Sequence, residues 1–103
     1  MNDRQILSYL GLARKAGKLA VGFAASKEAC LKQMAKFVVI ASDISQKSEK
    51  EIRFFSGKRC FVERIDAPIE EVSSSIGTKA GIVAVCDEGF ANALAKCIDS
   101  RND

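Results

Sequence analysis

The chain has 103 residues, of which 48% are hydrophobic and 28% are charged. This length fits one compact domain and excludes a large barrel or a long repeat array, and the composition is too apolar for wholesale disorder. The longest uninterrupted apolar stretch, Phe37–Ala41, is far shorter than the roughly 20 residues of a membrane-spanning helix. The N-terminal residues also lack the apolar segment of a signal peptide. We therefore expect a single domain over residues 1–103 that stays in the cytoplasm.

Two residue types that carry much protein chemistry are missing, because the chain has no histidine and no tryptophan. The absence of histidine excludes catalysis by Ser-His or Cys-His pairs and metal sites that use imidazole. The four cysteines, at positions 30, 60, 86 and 97, form no CxxC pair. Each lies in an apolar stretch, which predicts reduced core cysteines. We expect neither a metal nor a cofactor.

The charge is unevenly distributed along the chain. Residues 1–64 contain 13 Lys and Arg against 6 Asp and Glu, whereas residues 65–103 contain 3 against 7. A basic N-terminal half is suited to facing phosphates. Lysines on ordinary solvated helix faces explain the same numbers equally well, so charge alone leaves both interpretations open.

Apolar residues alternate between helical and strand spacing along the chain, which predicts the order α-β-α-β-α-β-α-β-α. The strands are predicted at 19–21, 37–41, 60–62 and 82–86, and the second helix at Phe23–Met34. Strict alternation predicts the α/β class: one three-layer α/β/α sandwich around a four-stranded, mostly parallel or mixed sheet. Predicted helix caps are Asn2 or Asp3 for the first helix, Asp43 or Ser45 for the third, Pro68 in the first turn of the fourth, and Asp87 for the fifth.

Three loops have compositions suited to binding. Residues 21–27 contain Gly22 before a helix, whose free N–H groups and dipole suit a phosphate, with Lys27 nearby. Residues 41–45 contain Asp43, and residues 73–81 are rich in Ser, Gly and Thr and include Lys79. Many strand-to-helix turns contain one glycine, so each loop is weak as an isolated signal. Neither GxGxxG nor GxxxxGK[ST] occurs, and no nucleophile lies in a pattern with a base, so no catalytic residue is predicted.

Five segments resemble a known family. They are Leu10–Lys18, Val21-Gly22, Ala35–Asp43, Ser75–Gly77 and Asp87–Ala91. Together they resemble the ribosomal protein family of L7Ae and L30e, and in particular its bacterial YlxQ-like branch. The resemblance spans nearly the whole chain and implies an α/β/α sandwich that binds structured RNA, typically kink-turns. In that family the start of the second helix reads sheared G·A pairs, and a loop before the last strand supports a flipped-out nucleotide.

Several residues match the family pattern. Gly22 and Asp43 correspond to the family glycine and aspartate. Ile76 and Gly77 correspond to the apolar-Gly pair of the loop before the last strand, residues 73–81, which we call the late loop. Lys79 lies nearby in that loop. The resemblance therefore implies an RNA-binding surface around these positions.

Three other positions depart from the pattern. The family's Asn-Glu pair and its lysine correspond here to Ala24, Ala25 and Glu28. Alanine offers no hydrogen bond to a base edge, and Glu28 repels phosphate. Lys27 lies one residue away, about 100° around the helix, so it is an imperfect substitute.

Our preferred hypothesis is a non-catalytic, ribosome-associated protein that binds structured RNA as a monomer. Gly22–Lys27, including the Ala24 and Ala25 positions, would supply amides and charge. Ile76 would offer an apolar platform beside Gly77 and Lys79. Arg14, Lys15 and Lys18 would extend the basic surface. The alternative is a protein-interaction module on the same fold that no longer binds RNA. An enzyme that uses the late loop is the weakest hypothesis.

Overall fold

The computed structural model describes residues 3–58 and 60–101, which alternate between helices and strands as predicted. The helices are α1 (Arg4–Lys15), α2 (Phe23–Leu31), α3 (Gln46–Ser56), α4 (Ile69–Ile76) and α5 (Glu88–Arg101). The strands are β1 (Leu19–Val21), β2 (Phe37–Ile40), β3 (Phe61–Arg64) and β4 (Ile82–Val85).

The four strands form one mixed sheet in the order β1-β4-β2-β3. Strands β2 and β4 are central and every residue in them is buried, as their continuous apolar runs require. Strand β4 runs antiparallel to β1 and β2, whereas β2 and β3 are parallel. The ends of β1, β2 and β3 therefore lie beside the start of β4. We call this the Gly22 end of the sheet, and the other the opposite end.

Helices cover both faces of the sheet, which confirms the predicted sandwich. One core lies between the sheet and α1, α4 and α5, and includes Leu10, Val83 and Leu94. The other lies under α2 and α3, and includes Val38 and Ile52. The alternation of side chains along β2 and β4 supplies apolar groups to both cores.

Two element boundaries differ from the prediction. Helix α2 ends at Leu31 and not at Met34, because Gln33 adopts a left-handed φ of 60° that stops the helix. The N–H groups of Met34 and Ala35 both bond to the carbonyl oxygen of Ala29, at 2.8 and 3.1 Å. Strand β3 lies later than the predicted residues 60–62, because its pairing with β2 runs over Phe61–Arg64.

The capping predictions have mixed outcomes. Ser45 caps α3 by accepting from the N–H of Ser48 at 3.2 Å, and the Asp87 carboxylate accepts from the N–H of Phe90 at 3.0 Å, as predicted. Pro68 lies immediately before the first turn of α4, at the N-cap position.

The Asp3 side chain does not cap α1. Its Oδ2 accepts from the N–H groups of Asp66 and Ala67 at 2.6 and 2.9 Å, and so ties the start of α1 to the end of β3. The alternative cap, Asn2, lies outside the described residues.

Candidate functional site

The Gly22 end of the sheet brings the three predicted loops together. The N–H of Gly22 donates to the carbonyl oxygen of Ile82 at 2.8 Å, and the N–H of Ala41 donates to that of Gly81 at 2.8 Å. Both hydrogen bonds end where the late loop enters β4. The late loop precedes β4, whereas the other two loops follow β1 and β2. Because β4 runs antiparallel to β1 and β2, all three loops lie at the same end of the sheet.

The start of α2 offers unpartnered backbone donors to a ligand. Gly22 has a φ of +94°, which glycine adopts without the steric cost of a side chain, and no side chain caps the helix. The first N–H groups of a helix have no acceptor within it and suit an anion. Ala24 and Ala25 are both exposed in this first turn. Their methyl groups leave the helix start open without contributing a polar contact.

Lys27 is directed toward α3 and not toward Gly22. Its Nζ lies 4.4 Å from the centroid of the Phe55 ring, a cation–π contact between α2 and α3. The ammonium group is therefore held at the side of the helix start.

Glu28 occupies the position where the family pattern has a lysine, and it is paired. Its Oε1 lies 2.7 Å from Nζ of Lys32, one turn further along α2. The hydrogen bond and the charge of Lys32 lower the pKa of Glu28, so the carboxylate stays ionised at neutral pH. This exposed face of α2 is thus locally balanced in charge.

The Asp43 carboxylate has a structural partner. Its Oδ1 accepts from the N–H of Ile69 at 2.8 Å, so Asp43 caps α4 and Ser45 caps α3. Asp43 thereby joins the loop after β2 to the start of α4. Asp43 is nevertheless exposed.

The late loop is folded back on α4 by a single side chain. The Ser73 hydroxyl accepts from the N–H of Ala80 at 3.0 Å and lies 3.2 Å from its carbonyl oxygen, to which it donates. Gly77 ends α4 in the left-handed region, with a φ of 81°. Between these anchors Thr78 and Lys79 are exposed. The loop thus presents one cation beside the Gly22 end.

The structure corrects the expected role of Ile76. The side chain is only 5% exposed and packs in the core under α1 and α4, so it offers no apolar platform to a ligand. Its carbonyl oxygen accepts from Nη1 of Arg14 at 2.7 Å. The helical spacing of Ile69, Val72 and Ile76 already favoured the core, and the core is where Ile76 lies.

Lys18 does not converge on Gly22, in contrast to the expected basic surface. Its carbonyl oxygen accepts from the N–H of Cys86 at 2.8 Å, which places Lys18 at the opposite end of the sheet. The three residues of β1 lie between Lys18 and Gly22, so the two are about 13 Å apart along the strand. Its side chain lines a shallow groove along α2 together with Ala25 and Glu28.

Ile44 and Ile69 were not among the predicted site residues, but their side chains meet at this site. A Cβ at Gly81 would lie 2.5 Å from Cδ1 of Ile44 and 2.7 Å from Cγ1 of Ile69, so both side chains pass directly over the glycine. Ile44 and Ile69 are half-buried between the Asp43 loop and the late loop. The signal in the sequence was a glycine directly before a buried strand, which often marks a close approach.

Three of the four free cysteines lie together at the opposite end of the sheet. Cys30, Cys60 and Cys86 are partly buried against the core under α2 and α3. Burial and the neighbouring Cys30 thiol raise the pKa of Cys60 to about 12, so this thiol is protonated at neutral pH. These cysteines, predicted as core residues, pack against the core and remain partly exposed.

Residues 3–58 and 60–101 contain neither a metal-binding cluster nor a membrane-spanning helix. In that part of the chain no group of three or more His, Cys, Asp or Glu side chains could hold a metal ion. No helix there combines the length and the apolar character needed to cross a membrane.

The chain is similar to two curated proteins over most of its length. It is 28% identical to the "RNA-binding protein YlxQ" of Enterococcus faecium, with 95% of each chain covered. It is 30% identical to the "Large ribosomal subunit protein eL30" of Yarrowia lipolytica, with 82% of this chain and 81% of that protein covered.

Two solved structures share the fold. A protein of unknown function from Bacillus halodurans superimposes with a TM-score of 0.83 at 27% identity, covering 90% of this chain and 95% of that one. The Giardia lamblia 15.5kD RNA binding protein superimposes with a TM-score of 0.76 over 95% of this chain and 85% of that one, at 10% identity. The family model described as "Ribosomal protein L7Ae/L30e/S12e/Gadd45 family" matches residues 4–95. The chain therefore belongs to the ribosomal protein L7Ae/L30e/S12e/Gadd45 family.

Proposed function

We propose that this protein binds structured RNA through the Gly22 end of its sheet, as a non-catalytic, ribosome-associated monomer in the cytoplasm. The observation that carries the proposal is the open start of α2, where uncapped N–H groups lie beside the exposed late loop. Such N–H groups donate hydrogen bonds to phosphate oxygens. Family membership and a relative named for RNA binding support the same assignment.

The contact surface is built mainly from backbone. Gly22, Ala24 and Ala25 present the first turn of α2, Gly77 and Lys79 present the late loop, and Asp43 lies between them. Lys27 lies at the side of α2, and Ile76 contributes through the position of its backbone. The ligand would be recognised by its shape and phosphate backbone, because RNA shape and phosphate contacts need few base-reading side chains.

Selectivity for kink-turns is expected to be weak. Base-edge hydrogen bonds are worth roughly 1–3 kcal/mol each in DNA, which serves as a guide for RNA. Ala24 and Ala25 make none, and Glu28 is held in an ion pair with Lys32. We therefore expect binding to folded RNAs with only a small preference for sheared G·A pairs.

The test uses a charge placed on the open helix start. Ala24→Asp adds a carboxylate that favours the helix dipole, so folding is preserved while phosphates are repelled. Asn92→Asp, at an exposed position of α5, is the control with the same change in charge. We expect wild type and Asn92→Asp to bind a kink-turn hairpin RNA at low salt, and Ala24→Asp to bind at least tenfold more weakly. Absence of wild-type binding at low salt would contradict the proposal.

A protein-interaction module is the alternative, and exposed apolar residues favour it. Phe54 is 79% exposed near the end of α3, and Leu31 is 59% exposed at the end of α2. Leu31 lies at the other end of α2 from the open helix start, and Phe54 packs on the Phe55 ring, with ring centroids 5.4 Å apart. Purification from cells with and without ribonuclease separates the two functions. Partners that persist after ribonuclease treatment, and are lost in Phe54→Ser, would favour this alternative.

A further inference from the structure

A groove of about 590 Å³ lies between α1 and α4, outside the three loops described above. The helices approach most closely at Gly11, where an added Cβ would lie 2.8 Å from the carbonyl oxygen of Ser75. The groove ends at Ile76 and Gly77, the residues that begin the late loop. It is therefore continuous with the exposed Gly77–Lys79 segment.

The charge of this groove is of one sign. Arg14 and Lys15 line it in the last turn of α1, and the Ser8 and Ser74 hydroxyls contribute polar groups. Among the described residues, none of those lining it is an Asp or a Glu. Three carboxylates, those of Asp3, Asp66 and Glu71, line an adjoining groove toward the start of α1. The two grooves share Arg4 and Leu7. The Arg14 end of α1 is thus the end suited to an anion.

The position of the Arg14 guanidinium is fixed by the protein itself. Nη1 donates to the carbonyl oxygen of Ile76 at 2.7 Å, which uses one of the five N–H donors of the group. The remaining donors stay in a rigid planar fork of the kind that matches phosphate oxygens. Lys15 is exposed in the adjacent position and adds a mobile charge.

We propose that the groove between α1 and α4 is a second RNA contact, which holds the sugar-phosphate backbone of a strand leaving the Gly22 end over the late loop. This inference rests on the proposed RNA-binding function. Arg14 and Lys15 hold phosphate oxygens, and the Ser8 and Ser74 hydroxyls face the sugars. Continuity with the Lys79 loop favours RNA over an acidic protein segment, because one polyanion then spans both surfaces.

The experiment measures the salt dependence of RNA binding. The probe is a kink-turn hairpin RNA with a single-stranded extension, titrated over a range of salt concentrations against wild type, Lys15→Gln and Lys96→Gln. Lys96 is exposed on α5 and lines a different groove, so Lys96→Gln is the matched control. Losing one phosphate contact with the single strand makes the slope of log K against log salt shallower by about 0.7, which weakens binding about fivefold at ~0.1 M salt. This effect is expected for Lys15→Gln and not for Lys96→Gln.

The outcomes separate this inference from the proposed function. Failure of wild type to bind the RNA at low salt overturns both. Wild-type binding with equal slopes for the two variants overturns the groove contact alone and leaves the Gly22 end as the binding surface. Equal affinity of wild type for poly-glutamate of matched charge, lost in Lys15→Gln, assigns the groove to an acidic protein partner and also overturns the inference.

Discussion

Arg14 donates from Nη1 to the carbonyl oxygen of Ile76 across 2.7 Å and so joins the last turn of α1 to the end of α4. The two residues are far apart in the chain, and their contact lies where α4 turns into the late loop. A cation at the end of a helix also favours the helix dipole. The packing of α1 and α4 is therefore linked to the position of the loop that borders the proposed RNA surface.

Arg14→Met is expected to lower the free energy of unfolding by about 1 kcal/mol, because it removes this hydrogen bond and leaves the Ile76 carbonyl to water. Lys15→Met, in the adjacent exposed position, is expected to change it by less than about 0.5 kcal/mol. Urea unfolding of both variants measures the difference. Equal stabilities for the two variants would mean that the contact does not hold the end of α4.

Gly11→Ala tests the close approach of the same two helices. In an exposed helix interior, alanine in place of glycine stabilises by about 1 kcal/mol. Here the new Cβ would lie 2.8 Å from the Ser75 carbonyl oxygen, a backbone atom that moves only with α4. We expect a loss of about 1–2 kcal/mol, as for other overpacked sites. Ser8→Ala in the same helix is the control, and a stabilised Gly11→Ala protein would contradict the packing.

The fold was predictable from the sequence because its strongest signals are local. The continuous apolar runs at 37–41 and 82–86 predicted two buried strands, and these are the central strands β2 and β4. The strand-to-helix turn at Gly22 was also recognisable. The end of α2 was missed because no propensity encodes the left-handed Gln33 or the hydrogen bonds that Met34 and Ala35 donate to the Ala29 carbonyl oxygen.

The site was less predictable, because its contacts join residues distant in the chain. The spacing of residues could not indicate that Lys27 would lie over Phe55, nor that Asp43 would cap α4. Lys18 was expected to extend the basic surface around Gly22, but strand β1 lies between Lys18 and Gly22. The resemblance to a family predicted where an RNA-binding surface would lie, and the structure gives the contacts of Lys27 and Asp43 there.

Gly81→Ala probes the place where two loops of the site meet. The added Cβ would lie 2.5 Å from Cδ1 of Ile44 and 2.7 Å from Cγ1 of Ile69, so we expect a loss of about 1–3 kcal/mol. Ile44→Val removes the nearer of these atoms. The double variant should therefore lose less than the sum of the single losses, which thermal unfolding of all four proteins measures. Simple additivity would contradict the contact between Gly81 and Ile44.

Stability is expected to fall in alkaline solution because of Cys60. Burial, followed by the neighbouring Cys30 thiol, raises the pKa of Cys60 from 9.0 to about 12. Above 9 the unfolded chain has lost this proton and the folded chain has kept it, so the free energy of unfolding decreases between pH 9 and pH 12. Below 9 both states hold the proton and the effect is absent.

Urea unfolding across this pH range, compared between wild type and Cys60→Ala, measures the contribution of Cys60. The variant should show a shallower decline, and an identical decline would contradict the prediction. The same shift makes Cys60 slow to alkylate at neutral pH, since the thiolate is the reactive form. Mass spectrometry of peptides from native and unfolded protein compares its labelling directly.

Restoring the family pattern on α2 tests why selectivity for kink-turns is expected to be weak. Ala24→Asn, Ala25→Glu and Glu28→Lys together replace two methyl groups with base-edge hydrogen-bonding groups and a carboxylate with a cation. Each new base contact is worth roughly 1–3 kcal/mol, so the affinity for kink-turn RNA should rise at least tenfold. The affinity for a duplex with Watson–Crick pairs in place of the G·A pairs should rise much less, because only the charge change acts there.

The ratio of the two affinities is the informative quantity. Glu28→Lys alone shows the effect of the charge at this position, since it breaks the ion pair with Lys32 and raises both affinities together. It is more cationic than the triple variant, in which Ala25→Glu adds a carboxylate, so a higher ratio in the triple variant cannot come from charge. An unchanged ratio in the triple variant would mean that RNA does not meet the first turn of α2. Because Ala24 and Ala25 are exposed and uncapped N–H groups lie beside them, the helix start has room for the restored side chains. If the restored side chains raise selectivity for kink-turns, the first turn of α2 is the surface that contacts the bases. The alanines at positions 24 and 25 would then explain why the present sequence has little selectivity.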